Sequence, residues 1–160
     1  MHDGYLFTLG ICGSAEEDDP GPVMLNSLLA ALPPVKRAAF LGTIPSDQPD
    51  QLIAEIITDM RDAELIVIVT PATTPQLPNR LNNLLRAAYA AGVGGRFATL
   101  IAVGPYAAAV LPALQAAAAT CGLRIASTCA ANTDDEPPLA DVQAAYATAR
   151  AALAPHALPH

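Results

Sequence analysis

Hydrophobic positions along this chain form short, mostly apolar runs separated by longer segments with a different spacing. The run 65–69 (LIVIV) has no polar alternation, which is typical of a strand covered on both faces of a parallel sheet. Runs of the same kind occur at residues 5–12, 35–41, 97–103 and 123–129, although the second and the last are more polar. The pattern therefore predicts five strands.

Apolar residues between these runs recur at helical spacing. After Thr70-Pro71 and a polar loop, one predicted helix face carries Leu77, Leu81, Leu84, Leu85 and Ala88. Pro78 is predicted just inside the start of this helix, where its missing N–H costs nothing. Asp50 is a predicted N-cap of an earlier helix, and Gly122 a predicted C-terminal stop of a later one. We expect a helix after each of the five strands.

Five consecutive strand–helix units, each with a crossover of helical length, predict parallel strands with right-handed connections. Two strand orders compete, the flavodoxin-like order 2-1-3-4-5 and half of a Rossmann sheet. The charged start of the second strand, Lys36-Arg37, and the polar fifth strand suit the two edges of the first order. We predict an α/β fold, a three-layer, doubly wound, five-stranded parallel sheet of order 2-1-3-4-5. It would form one domain over residues 1–160, with a frayed tail from about residue 155.

Composition excludes several classes of protein. The chain is 52% hydrophobic and 14% charged, so it can bury a sizeable core. Its net charge of −7 argues against nucleic acid or an anionic membrane surface as a partner. Residues 97–123 carry no charge over a length that could cross a bilayer. Gly104-Pro105 and Pro112 interrupt this segment, so we predict a strand and a helix there, and no membrane span.

Three cysteines, Cys12, Cys121 and Cys129, form no CxxC pair. We expect them to be reduced and mostly buried thiols of a cytoplasmic protein. The first residues lack a basic region before the apolar run, so a signal peptide is not expected. The sequence contains no cluster of residues with metal-ligand spacing.

The three most apolar strands each end in residues suited to a binding loop. These ends are Gly13-Ser14, Thr70-Pro71 and Gly104-Pro105. In a sheet of order 2-1-3-4-5 they line one crevice at the point where the strand order reverses, and ligands bind in such crevices. The first loop leads into a helix N-terminus, whose free N–H groups favour an anion such as phosphate.

With these loops, the chain resembles the flavodoxin-like NAD(P)H-dependent FMN reductases over residues 5–153. Thr70-Pro71 is similar to the family's Thr-Pro-x-Tyr loop, and Pro78, Leu81 and Asn83 match the Pro-x-x-Leu-x-Asn helix that follows it. Gly13-Ser14 is similar to the start of the family's phosphate loop, Gly-Ser-x-Arg-x-x-Ser.

The resemblance implies a function and a set of contacts. It implies FMN as the cofactor and hydride transfer from NAD(P)H through FMN to a small acceptor. No protein residue is then needed as a catalytic acid or base, because the flavin carries the chemistry. It also implies a homo-oligomer, a dimer or tetramer, with the flavin near the subunit interface. The implied FMN contacts are Gly13 and Ser14 for the phosphate, Thr70, Pro71, Thr73 and Thr74 for the ring, and Gly104, Pro105 and Tyr106 closing the pocket.

Two departures from the family pattern favour a different class of function. Glu16 and Asp19 stand where the family has Arg and Ser, within a run of four acids beside the expected phosphate. Thr73 stands where the family has the Tyr that contacts the ring. The alternative is a flavodoxin-like domain that has lost flavin binding and acts as a binding or assembly module. Individual roles also stay open, since Thr70 and Thr74 could bond a ring edge or cap their loop.

Overall fold

A five-stranded parallel sheet with helices on both faces organises the computed structural model, which describes residues 5–13, 20–41 and 49–157. The strands are β1 (Thr8–Cys12), β2 (Lys36–Phe40), β3 (Leu65–Pro71), β4 (Phe97–Val103) and β5 (Arg124–Ala131). The helices are α1 (Pro20–Ala30), α2 (Pro49–Asp62), α3 (Asn79–Ala90), α4 (Ala107–Cys121) and α5 (Leu139–Ala157).

The strand order is β2-β1-β3-β4-β5, and every neighbouring pair is parallel. β1 lies between β2 and β3, so Cys12 is opposite both Phe40 and Val69. The predicted α/β fold and its order 2-1-3-4-5 are therefore confirmed, and the half-Rossmann alternative is wrong.

The core is divided by the sheet into two apolar layers. Alternate residues of β3 serve both, since Ile66 and Ile68 pack with α2, α3 and α4 while Val67 and Val69 pack with α1 and α5. β1 and β4 are buried along their whole length, whereas β2 and β5 are partly exposed. The apolar runs without alternation thus belong to inner strands, as predicted, and the more polar runs lie at the edges.

Several predicted helix ends are wrong, each by a short stretch at a proline. α2 begins at Pro49, so Asp50 lies in its first turn and is not the N-cap. Proline's fixed φ suits that first position. Pro78 is itself the N-cap of α3, with φ −56° and ψ 134°, and so lies one position outside the helix. α5 extends as far as Ala157, and fraying of the tail from about residue 155 stays a prediction.

The uncharged segment 97–123 contains a strand and a helix, β4 and α4, as predicted. Gly122 ends α4 in the left-handed conformation at φ 91°, which confirms the predicted stop. The helix continues through Pro112. Within the described ranges, no helix combines the length and apolarity that crossing a membrane requires.

Basic side chains gather at the amino edge of the sheet, where the strands begin. Lys36 Nζ donates to Leu29 O at 2.6 Å, at the end of α1. Arg61 Nη2 donates to Ala91 O at 2.7 Å, at the end of α3, and Arg96 Nη2 donates to Arg61 O at 2.6 Å, at the end of α2. These cations satisfy helix carbonyls at the negative ends of the helix dipoles. Three of the eight Lys and Arg side chains thus bind helix carbonyls at the amino edge, away from the carboxyl ends of the strands.

Candidate functional site

The ends of β1 and β3 meet at the carboxyl edge of the sheet. The Gly13 N–H donates to Val69 O at 2.9 Å. A Cβ added at Gly13 would lie 3.3 Å from both Thr70 Oγ1 and Leu81 Cδ2. The end of β1 therefore packs tightly against the end of β3 and the first turn of α3, and a side chain at position 13 would be crowded.

A backbone hydrogen bond joins the loops after β3 and β4. The Tyr106 N–H donates to Ala72 O at 2.9 Å, and the Ala72 N–H donates to Val103 O at 2.7 Å. Gly104 has φ 137°, and an added Cβ there would lie 2.7 Å from Ala72 O. Only glycine combines this conformation with this close approach. The end of β3 thus contacts the end of β1 on one side and the loop after β4 on the other.

The residues predicted for the site divide into a buried and an exposed layer. The buried layer is Gly13, Thr70 and Gly104, with Thr70 fully buried. Thr73, Thr74, Pro105 and Tyr106 are exposed above it, and Pro71 is intermediate. Tyr106 is 44% exposed, which is high for an aromatic side chain. The exposed layer is the part that a ligand could cover.

The hydroxyls of Thr70 and Thr74, for which the sequence leaves two roles open, both make local hydrogen bonds. Thr70 Oγ1 donates to Pro71 O at 3.2 Å, and Thr74 Oγ1 accepts from the Gln76 N–H at 3.4 Å. This is the loop-capping arrangement, one of the two alternatives that the sequence leaves open. Contact between either hydroxyl and a flavin ring stays a prediction.

Part of the predicted phosphate loop lies outside the described residues. This applies to Ser14 and to the four acids Glu16, Glu17, Asp18 and Asp19. The role of Ser14, and the direction in which the acids point, therefore stay predictions.

Sequence reasoning missed two residues at this edge. Ala72 ties β3 to the β4 loop through its backbone, and backbone bonds leave no side-chain signature. Arg80, in the first turn of α3, donates from Nη1 to Leu41 O at 2.8 Å, just beyond the end of β2. The signal that could have found Arg80 is a cation placed directly before Leu81 in the family-like helix motif.

A half-buried thiol lies on β5, at the edge of the sheet. Burial raises the pKa of Cys129, and the carboxylates of Asp141 and Asp135 raise it further. Burial alone raises the pKa of Cys121, at the end of α4. A raised pKa means less thiolate at neutral pH, so these environments do not activate either thiol. Among the described residues, no group of three or more His, Cys, Asp or Glu is arranged to hold a metal ion.

No family model and no curated sequence matches the chain. Solved structures do match. An NADH:FMN oxidoreductase in its apo form has a TM-score of 0.71 at 15% identity, over 92% of this chain and 89% of that one. The general stress protein 14 of Treponema denticola, in complex with FMN, has a TM-score of 0.59 at 16% identity, over 92% and 95% of the two chains.

A two-electron reduced flavodoxin of Megasphaera elsdenii also matches, with a TM-score of 0.63 at 13% identity, over 88% of this chain and 98% of that one. At these identities the likeness bears on architecture and not on individual residues. What these comparisons establish for this chain is the flavodoxin-like fold.

Proposed function

We propose that this protein binds FMN at the carboxyl edge of its sheet and acts as an NAD(P)H-dependent oxidoreductase. The observation that carries the proposal is that the end of β3 contacts the end of β1, across the switch point of the sheet, and also the loop after β4. The similarity to an NADH:FMN oxidoreductase and to a protein in complex with FMN supports flavin as the ligand.

The described residues fit such a cofactor. Gly13 has no Cβ at a point where the backbone must approach Thr70 and Leu81 closely, and Gly104 has none beside the Ala72 carbonyl. At these two glycines no side chain stands between the backbone and a ligand bound at the strand ends. Above them, Thr73 and Tyr106 are exposed and can flank a flat ring.

Each residue then has a role in binding and orientation. The backbone at Gly13 lies where a phosphate would meet the strand end, with Ser14 as the predicted hydroxyl donor. Pro71, Thr73 and Thr74 would contact the ring, while Pro105 and Tyr106 would close over it and exclude water. Bound FMN would supply the chemistry, accepting hydride from a nicotinamide and passing the electrons to a small acceptor.

We also propose self-association, through the outer face of α4. The exposed residues of this helix carry no charge, which is unusual for the surface of a chain with net charge −7. Tyr89 on the neighbouring helix α3 is 62% exposed next to them. A dimer that uses this face should dissociate when a charge is placed in it, so Ala116→Glu should lower the mass measured by light scattering without unfolding the protein.

The experiment that tests the proposed function is a titration of purified protein with FMN, read by quenching of flavin fluorescence. Saturable binding at micromolar Kd or tighter, followed by FMN-dependent oxidation of NADH or NADPH, is the expected result. No binding up to about 1 mM, equivalent to about −4 kcal/mol, would refute it. That outcome would instead favour the binding or assembly module.

A further inference from the structure

We infer that Arg80 binds the phosphate of the flavin and makes the site select FMN over riboflavin. This inference rests on the proposed function. It assigns a phosphate-binding role to a residue of α3, a helix that follows the ring loop and not the phosphate loop.

The position of Arg80 follows from two contacts. Its Nη1 lies 2.8 Å from Leu41 O, immediately after β2, and its neighbour Leu81 lies against Gly13. Cys12 and Phe40 are the last paired residues of β1 and β2, so Gly13 and Leu41, which follow them, are neighbours at the ends of adjacent strands. The guanidinium therefore lies beside the end of β1, where a phosphate at Gly13 would be.

The guanidinium also has unused bonding capacity. An arginine has five N–H donors, and Arg80 uses one of them on Leu41 O. Within the described ranges no carboxylate forms an ion pair with it, in contrast to Arg37, whose Nη1 lies 2.8 Å from Asp59 Oδ1. Its side chain is exposed, so the remaining donors are accessible to an anion.

No other cation of the chain can serve this edge. All eight Lys and Arg residues lie in the described ranges, and five of them are at the amino edge or at helix ends next to it. The five are Lys36, Arg37, Arg61, Arg96 and Arg124. Arg86 lies in the middle of α3 and Arg150 late in α5. Arg80, in the first turn of α3, is the remaining cation, and it lies at the carboxyl ends of the strands. In a chain of net charge −7, such a cation would favour the binding of a dianionic phosphate at this edge.

Comparing the binding of FMN and riboflavin distinguishes a phosphate-binding role of Arg80 from a structural one, because riboflavin has the same ring and no phosphate. Arg80→Gln should weaken FMN binding about 10- to 100-fold and leave the riboflavin Kd within about twofold, as expected for loss of a charge-assisted hydrogen bond. Arg80→Lys should restore part of the FMN affinity, since it keeps the charge and loses the planar fork. Arg86→Gln, which removes the same charge from the same helix, is the matched control and should alter neither Kd.

Equal weakening of both flavins by Arg80→Gln would overturn the inference, because it would mean that Arg80 acts only by holding the end of β2. An unchanged FMN Kd would overturn it as well, and so would a wild-type protein that binds riboflavin as tightly as FMN. In these three cases the proposed flavin site survives. A wild-type protein that binds neither flavin would refute the proposed function and, with it, the role of Arg80.

Discussion

Gly104 lies so close to Ala72 that the loop after β3 and the loop after β4 cannot move independently. An added Cβ at Gly104 would be 2.7 Å from the Ala72 carbonyl oxygen, and that same oxygen accepts the 2.9 Å hydrogen bond from the Tyr106 N–H. A shift of Ala72 would therefore move Tyr106 too. The geometry of the exposed layer depends on a contact in the buried one.

Gly104→Ala should lower both stability and flavin affinity. The φ of 137° costs a non-glycine residue about 1–3 kcal/mol, and the clash with Ala72 O adds about 1–3 kcal/mol of overpacking. Gly92→Ala is the matched control, since Gly92 has φ 78° but no atom within 4 Å of an added Cβ. It should cost only about 1–2 kcal/mol and leave FMN binding unchanged. Urea unfolding measures the loss of stability in each variant, and FMN titration measures the loss of affinity. Equal losses of stability in the two variants would contradict the close contact between Gly104 and Ala72.

Tyr146→Phe should destabilise the protein by about 1–3 kcal/mol, because it leaves a buried backbone donor without a partner. The Tyr146 hydroxyl oxygen accepts the Leu6 N–H at 2.9 Å, in the layer between the sheet and α5. Tyr89→Phe removes the same hydroxyl from a side chain that is 62% exposed, and should change the free energy of unfolding by less than about 0.5 kcal/mol. Thermal or urea unfolding of the pair gives the difference. A Tyr146→Phe protein as stable as Tyr89→Phe would show that this hydrogen bond contributes little.

Alkylation of Cys129 should be slow at neutral pH and should go on rising with pH beyond the ordinary thiol value of 9.0, because burial and two carboxylates raise its pKa. Replacing both Asp135 and Asp141 by Asn should speed the reaction of Cys129 and leave that of Cys121 unchanged, since burial alone raises the Cys121 pKa. Peptide mapping after timed iodoacetamide treatment gives the two rates separately. Equal acceleration of both thiols would point to local unfolding.

The same pKa shift has a consequence for stability. In the folded protein Cys129 holds its proton to higher pH than in the unfolded chain, so its contribution is fully present below about pH 9 and is lost as pH rises through the folded pKa. Unfolding measured from pH 8 to 10.5 should show a decline that Cys129→Ser reduces. A decline of the same size in Cys129→Ser would assign it to other groups.

Thr73→Tyr should tighten binding of FMN and riboflavin alike, by about 2- to 10-fold, because an added aromatic contact of about 0.5–1.5 kcal/mol acts on the ring and not on the phosphate. Thr73 is exposed, so the larger side chain is accommodated without a clash in the core. Thr148→Tyr, at an exposed position on α5, controls for the added aromatic surface. A gain for FMN alone would contradict the placement of the ring at this loop.

The sequence was sufficient for the architecture because burial on both faces leaves a strong pattern. The run 65–69 has no polar residue, and β3 lies in the middle of the sheet with both faces covered. The charge of Lys36 and Arg37 likewise marked β2 as an edge. Helix starts were less predictable, because a proline suits both the N-cap and the first helical position, and Pro49 and Pro78 differ in which one they take.

The candidate site was predictable only where a residue type is itself informative. Gly13 and Gly104 follow buried strands, and each lies against the end of β3, at Thr70 and at Ala72 respectively. Ala72 could not be found, because its contribution is made by backbone atoms. Arg80 was missed because its partner, Leu41, is distant in the sequence and is contacted through its carbonyl oxygen.

The position of β1 between β2 and β3 also sets the order in which the protein can be completed during translation. Thr8 is opposite Lys36 on one side and Leu65 on the other, so the first strand made keeps an open edge until β3 has left the ribosome. Such an edge is a template for pairing with another chain. Nascent chains that end within α2 should therefore associate through β1 more readily than chains that extend past β3.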